Sequence, residues 1–252
     1  MSTPVALEAI VVGAVDTGEA DRVVRLLTPG QGRVHALARR ARAPRPRFGG
    51  VLDLGNQLQV KVAPGRDGLW HLHEATLQDG RLHAREDLDR LALLAYACEL
   101  CGALAAAGQA EPRLYGLLET AAVLLDALTG PPGPAFRAGL EGKALTFAGV
   151  LPRLDACVVC GEAPGDGPLG VAPARGGLVH GGCGPAPFAV SPAFLAALEA
   201  ARRRPLRDSV DAPLPPGPAG LLAACAEAAL DHPLRSRAVL DSLPPATTAA
   251  PG

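Results

Sequence analysis

The sequence predicts an α+β protein in which a five-stranded barrel precedes a helical body that carries an inserted cysteine-rich loop. Three observations predict it: alternating strand-like segments with glycine-rich turns up to Gln78, helical spacing after Ala84, and paired cysteine and histidine positions between Cys157 and Cys183.

The strand segments are Val5–Val15, Arg22–Thr28, Arg33–Arg40, Val51–Ala63 and Leu69–Gln78. Alternation is clearest in Gln57-Leu58-Gln59-Val60-Lys61-Val62 and in Trp70-His71-Leu72-His73. Every second residue there is apolar, as for a strand with one face in a core. Pro29-Gly30-Gln31-Gly32 and Gly65-Arg66-Asp67-Gly68 supply the short turns that hairpins need. Five short strands in about 75 residues have the size of an OB-like barrel, and a five-stranded sandwich reads almost the same.

Leu88, Leu91, Ala92, Ala95 and Cys98 then fall at helical spacing behind the acidic Glu86, Asp87 and Asp89, which suit the positive end of a helix dipole. Further helices are expected at Pro112–Leu128, at Pro134–Ala148, after Ser191 as N-cap with Pro192 in the first turn, at Ala219–Leu230 and at Leu234–Leu243. The expected division is a barrel at 1–80, helical parts at 81–153 and 191–243, a metal-binding loop at 154–190 and a disordered tail at 244–252.

Composition narrows the function classes. With 48% hydrophobic and 19% charged residues the chain should fold. No apolar run approaches the roughly 18 residues of a membrane span, and Glu8 interrupts the apolar N-terminus, so a cytoplasmic protein is expected. The net charge of −1 hides an asymmetry of +3 over residues 1–83 and −4 over the remainder.

Between Arg22 and Leu52 stand eight arginines, Arg22, Arg25, Arg33, Arg39, Arg40, Arg42, Arg45 and Arg47, without one Asp or Glu. Prolines at 44 and 46 suggest an extended loop able to follow a phosphate backbone, with Phe48 the one aromatic residue nearby. Such a segment binds nucleic acid through counterion release, largely irrespective of base sequence. The plainer reading is a solubilising surface loop; eight like charges without a carboxylate favour nucleic acid. A second run, Arg202-Arg203-Arg204-Pro205-Leu206-Arg207, sits where a helix should end and is adequately explained by the helix dipole.

Cys157-Val158-Val159-Cys160 is followed after nineteen residues by His180-Gly181-Gly182-Cys183. Two short chelating arms around a Gly/Pro-rich loop match a structural zinc site, one ion per chain, and four protein ligands leave no open position for chemistry. A chance cysteine cluster is the alternative. Cys98 and Cys101 share a helical face without a second arm and read as small core residues.

Catalytic motifs are missing. Gly142-Lys143 is followed by Ala144 and has Arg137 where a phosphate-binding loop needs its first glycine. Neither H-E-x-x-H nor G-x-S-x-G occurs.

In order along the chain, Gly18-Glu19-Ala20-Asp21-Arg22, Leu27-Thr28-Pro29, Gly32 and Arg47-Phe48-Gly49-Gly50 resemble the N-terminal barrel of RecO proteins. Arg85-Glu86-Asp87-Leu88, Cys157–Gly161, Gly176-Gly177-Leu178, Cys183 and Leu234-Arg235-Ser236-Arg237 resemble that family's helical region, zinc module and last helix. His180 departs from the pattern, standing where zinc-bearing members carry a third cysteine.

The resemblance implies a non-enzymatic recombination mediator associated with the nucleoid. It implies binding to single- and double-stranded DNA, annealing of complementary strands, and cooperation with RecR to load RecA onto strands coated by single-strand-binding protein, with RecF a further indirect partner. The rival is a zinc-containing, sequence-specific DNA-binding regulator, which needs a helix basic along one face; no predicted helix has one.

Overall fold

The structure, a computed structural model, describes residues 3–44, 47–65 and 68–243. The expected tail at 244–252 and Arg45 lie outside the described residues. Two compact units divide the chain, residues 1–130 and 131–252.

The first unit is built on strands β1 (Val5–Thr17), β2 (Asp21–Thr28), β3 (Gly32–Ala38), β4 (Gln57–Pro64) and β5 (Leu69–Asp79). They close a barrel in the order β1-β2-β3-β5-β4, with β4 paired back to β1 (Val5 to Val62 and Ile10 to Gln57). The β3–β5 pair is parallel, with His35 opposite Leu69 and Leu37 opposite His71. This is the five-stranded OB-like topology. Alternate residues point inward: Ala9 and Val11 from β1, Val24 and Leu26 from β2, Val34 and Ala36 from β3, and Leu58, Val60 and Val62 from β4 share one core.

The fourth strand begins at Gln57, not at Val51 as expected. Residues 39–44 and 47–56 instead form a folded cap. Val51 N–H donates to the Phe48 carbonyl at 3.0 Å, Asn56 N–H to Asp53 at 3.1 Å and Gly55 N–H to Val11 at 2.8 Å. Phe48 and Leu52 reach into the barrel core from this cap. The expectation of an extended loop is corrected too: Arg40 turns left-handed at φ 58°, and its carbonyl accepts from the N–H groups of Ala43 and Arg47.

Helix α1 (Leu88–Leu104) is capped by Asp87, whose carboxylate accepts the Arg90 N–H at 2.9 Å. It lies on the outside of β1 and β2 and comes so close that a Cβ on Gly102 would stand 2.8 Å from Val12 Cγ2. Helix α2 (Pro112–Ala127) packs on α1. The buried Arg90 donates to the carbonyls of Leu125 and Leu128, satisfying the end of α2. A polar network ties α2 to the barrel: Gln57 Nε2 donates to Glu119 (2.7 Å) and Glu8 (3.0 Å), while Arg81 donates to Gln57 Oε1 (2.8 Å).

The second unit contains α3 (Pro134–Phe147), a three-stranded antiparallel sheet of β6 (Leu169–Ala172), β7 (Gly177–His180) and β8 (Phe188–Val190), then α4 (Pro192–Arg203), α5 (Leu221–Leu230) and α6 (Arg235–Ser242). Ser191 caps α4 by accepting the Phe194 N–H at 3.2 Å, as its sequence position predicts. Arg137 links Glu141 (2.8 Å) to Asp241 (2.6 Å), and Arg237 engages Glu227 and Asp241, so α6 is held by paired charges. No helix among the described residues is long and apolar enough to cross a membrane.

Candidate nucleic-acid interface and metal centre

The described arginines among those predicted separate into four groups once folded. Arg25, Arg39 and Arg40 are exposed, and no carboxylate pairs with their side chains among the described residues. Arg25 lies over the β1 bulge, its guanidinium filling the space that a Cβ on Gly13 would need (2.4 Å to Nη2). Arg39 and Arg40 leave the end of β3, where the Arg40 N–H donates to Asp21 at 2.8 Å and so fixes the cap against the start of β2.

Arg22 and Arg42 share a carboxylate that the local sequence does not contain. Asp16 on β1 accepts Arg22 Nε at 2.8 Å and faces Arg42 Nε at 3.3 Å. These guanidinium groups, led by the Arg22 hydrogen bond, hold the Asp16 carboxyl below its usual range. Arg47 is exposed but anchored, donating to the His73 carbonyl at 2.7 Å while its guanidinium sits 5.3 Å from the Phe48 ring centroid.

Two expected contacts belong to the scaffold instead. Phe48 is 7% exposed within the barrel core, so it offers no face for a base. Arg33 points at the end of α1, donating to the Gly102 and Ala103 carbonyls at 3.3 and 3.4 Å. Cations suit a helix C-terminus, and that position accounts for the residue.

The four predicted metal ligands do come together. Donor atoms of Cys157, Cys160, His180 and Cys183 all lie within 4.8 Å of one another. Ligands on a tetrahedron with arms of about 2.0–2.3 Å stand about 3.3–3.8 Å apart, so a modest contraction seats an ion. Cys157 and Cys160 sit on a tight turn closed by Gly161 N–H to the Cys157 carbonyl (2.9 Å), with Gly161 left-handed at φ 81°. His180 ends β7, and Cys183 follows in a turn whose N–H donates to the His180 carbonyl at 2.9 Å.

His180 Nδ1 is 3.3 Å from Cys160 Sγ, while Nε2 is 3.2 Å from the Ala163 carbonyl. A carbonyl only accepts, so the proton belongs on Nε2 and the Nδ1 lone pair faces the cluster. Backbone N–H groups, that of Cys160 foremost, push the Cys157 thiol down to about 6. Hydrogen bonding to Cys160 leads the effects that push Cys183 up to about 11. A divalent cation bound here would take all three cysteines as thiolates.

A family model described as "Recombination protein O N terminal" matches residues 1–81, and one described as "Recombination protein O C terminal" matches residues 85–238. The chain belongs to the RecO family. It is 39% identical over 251 residues to "DNA repair protein RecO" of Anaeromyxobacter sp. (strain K), covering 96% of this chain and 97% of that relative. The protein of the same name from Myxococcus xanthus (strain DK1622) is 38% identical over 212 residues, covering 83% and 84% of the two chains.

Within the RecO family this chain is therefore one with a barrel, a helical body and a Cys3His donor set able to hold a metal ion. Sequence reasoning missed Asp16, because nothing local marks a strand carboxylate as the partner of a cap arginine 26 positions on. It also missed Arg81, Arg85 and Arg90, whose guanidinium groups hold the barrel, the cap and the helices together.

Proposed function

We propose that this RecO-family chain is a recombination mediator that grips single- and double-stranded DNA through its N-terminal barrel, anneals complementary strands, and breaks no bond itself. With RecR it promotes RecA loading onto strands coated by single-strand-binding protein, in the cytoplasm and at the nucleoid. RecF acts with the same assembly. The supporting observation is the surplus of exposed guanidinium charge on the barrel: Arg25, Arg39 and Arg40 have no carboxylate partner among the described residues, and Arg22 and Arg42 share one. Arg45 is a further expected phosphate contact by sequence.

Such a surface reads phosphate positions rather than base edges, and its hold on DNA weakens steeply with salt. A sequence-specific regulator needs a helix whose basic side chains reach bases. Here the helix arginines are engaged internally: Arg202 and Arg203 by Glu199, and Arg237 by Glu227 and Asp241. The metal is zinc, one per chain, bound by Cys157, Cys160, His180 and Cys183. Its closed donor set holds the loop in shape and leaves no position at which water is activated.

Annealing of complementary strands, bare and coated with single-strand-binding protein, tests the proposal. The purified chain should accelerate both reactions, and RecR should be needed for RecA filaments to form on the coated strand. DNA cleavage, or binding confined to one sequence, would overturn it.

A further inference from the structure

The six cysteines differ in what can reach them. Cys98, Cys101 and Cys225 are buried in α1 and α5, and burial pushes the thiols of Cys98 and Cys225 up to about 12 and raises that of Cys101 as well. Such thiols are poor nucleophiles. Within the metal cluster Cys157 is buried and Cys183 partly buried, whereas Cys160 is the one exposed cysteine of the chain. A thiolate that is exposed and has a second thiolate beside it is where an oxidant acts first.

The backbone around the cluster decides which neighbour can move towards Cys160. Cys157 is pinned: its N–H donates to the Glu162 carbonyl at 2.8 Å, its carbonyl accepts from Gly161 at 2.9 Å, and its Sγ accepts the Val159 N–H at 3.4 Å. Cys183 donates its N–H to the His180 carbonyl at 2.9 Å and stands between Gly182 and Gly184, the latter at φ 145°, so no side chain stiffens the turn on either side. The sulfurs of Cys160 and Cys183 lie within 4.8 Å of each other. A disulfide needs about 2.05 Å, so the glycine-flanked turn has to yield by about 3 Å at most. His180 supplies the fourth donor as an imidazole, which leaves the set with three thiols. One disulfide uses two of them, and Cys157 with His180 is too few to close a tetrahedral site.

We propose that Cys160 is an oxidation site, through which a hydroperoxide empties the Cys3His set by linking Cys160 to Cys183. The proposal rests on the reading of that set as a zinc site and deepens it. Bound zinc keeps the three cysteines deprotonated. The Cys160 thiolate gives an electron pair to the terminal peroxide oxygen; the O–O bond breaks, the OH group passes to sulfur as a sulfenic acid, and the leaving alkoxide or hydroxide takes a proton from water. The Cys183 thiolate then attacks the Cys160 sulfur; the S–O bond breaks, the S–S bond forms, and hydroxide leaves. The two sulfurs together lose two electrons and the peroxide gains them. A dithiol reverses the change by exchange, and the donor set is again free to take metal.

The test treats the full-length chain, as purified, with hydrogen peroxide in the presence of a chromogenic zinc chelator, then alkylates the remaining thiols and maps disulfides by mass spectrometry. Wild type should release one zinc per chain, its free thiols should fall from six to four, and the peptides carrying Cys160 and Cys183 should be joined. Dithiothreitol with added zinc should restore the thiols and the metal. Cys160→His leaves two thiolates and two imidazoles to hold the ion and should release zinc on the order of tenfold more slowly under the same peroxide, because the exposed thiolate is gone. Cys183→His keeps the attacked thiol without its partner, and with dimedone present Cys160 should be trapped as the sulfenic-acid adduct. Where a histidine variant does not hold zinc, the wild-type disulfide map decides alone. Zinc retained by wild type under excess peroxide, a disulfide joining Cys157 to Cys160 instead, or equal release from Cys160→His overturns the proposal. A chain that carries no zinc before peroxide is added overturns the metal reading, and the same map then still decides the link between Cys160 and Cys183.

Discussion

The Asp16 carboxylate on β1 receives Arg42 of the barrel cap at 3.3 Å while its other oxygen holds Arg22 at 2.8 Å. One strand carboxylate therefore orders the cap and at the same time withholds two guanidinium groups from phosphate. Asp16→Asn keeps the size of the side chain and removes the charge. DNA affinity at low salt should rise by about two- to fivefold, the scale of an exposed ion pair. Fluorescence anisotropy with oligonucleotides checks it, and weaker binding would mean that Asp16 matters for cap geometry rather than for charge.

Phe48 separates packing from recognition. Its ring is buried in the barrel core, so Phe48→Ala should cost about 3–5 kcal/mol of unfolding free energy. Under conditions where the variant is still folded, its DNA affinity should remain near wild type. Urea unfolding and anisotropy measured on the same sample decide between the two roles. A stable variant that had lost DNA binding would restore Phe48 to the interface.

Metal removal should act on the loop and spare the barrel. Elemental analysis should find one zinc per chain, absent from Cys157→Ser/Cys160→Ser. Because binding energy of a structural metal is local folding energy, proteolysis should then cut within residues 154–190 first. His180→Cys should retain the ion, since a thiolate replaces the imidazole in the donor set. Unaltered zinc content in the double serine variant would show that the wrong ligands have been assigned.

Glu199 supplies a pH test in the second unit. Hydrogen bonds from Arg202 first and Arg203 next hold its carboxyl at about 2, down from 4.5. A depressed carboxylate stabilises the fold above its unfolded pKa, and the contribution is lost as pH falls through the folded value. The difference in urea midpoint between wild type and Glu199→Gln should therefore be present above pH 5 and shrink between pH 5 and 2. The pairs are partly exposed, so the difference should be small and reduced by salt.

What could be read in the sequence follows from the range of the interactions involved. Gln57–Val62 showed its strand because one-sided burial imposes a period of two, and Ser191-Pro192 showed a helix start because capping is local. The Cys3His donor set was legible because each arm is a four-residue segment carrying its own pair. Val51 and Leu52 misled because apolar residues in a cap are buried without any period, and they were read as the start of a strand. Phe48, expected as a DNA contact beside the arginines, is buried in the same cap. Arg33 looked like one more cation of the cluster, yet its partners are carbonyls at the end of a helix 69 and 70 residues away. Tertiary contacts of that separation leave no spacing to recognise.

The central claim is that exposed cap guanidinium groups hold the sugar-phosphate chain without reading bases. The most direct measurement is the slope of log Kobs against log salt for two oligonucleotides of unrelated sequence, with wild type and with Arg39→Ala/Arg40→Ala/Arg42→Ala. The slope on single strands should fall in magnitude by about 0.7 for each phosphate contact removed, equally for both sequences. An unchanged slope, or a loss seen on one sequence only, would contradict the account.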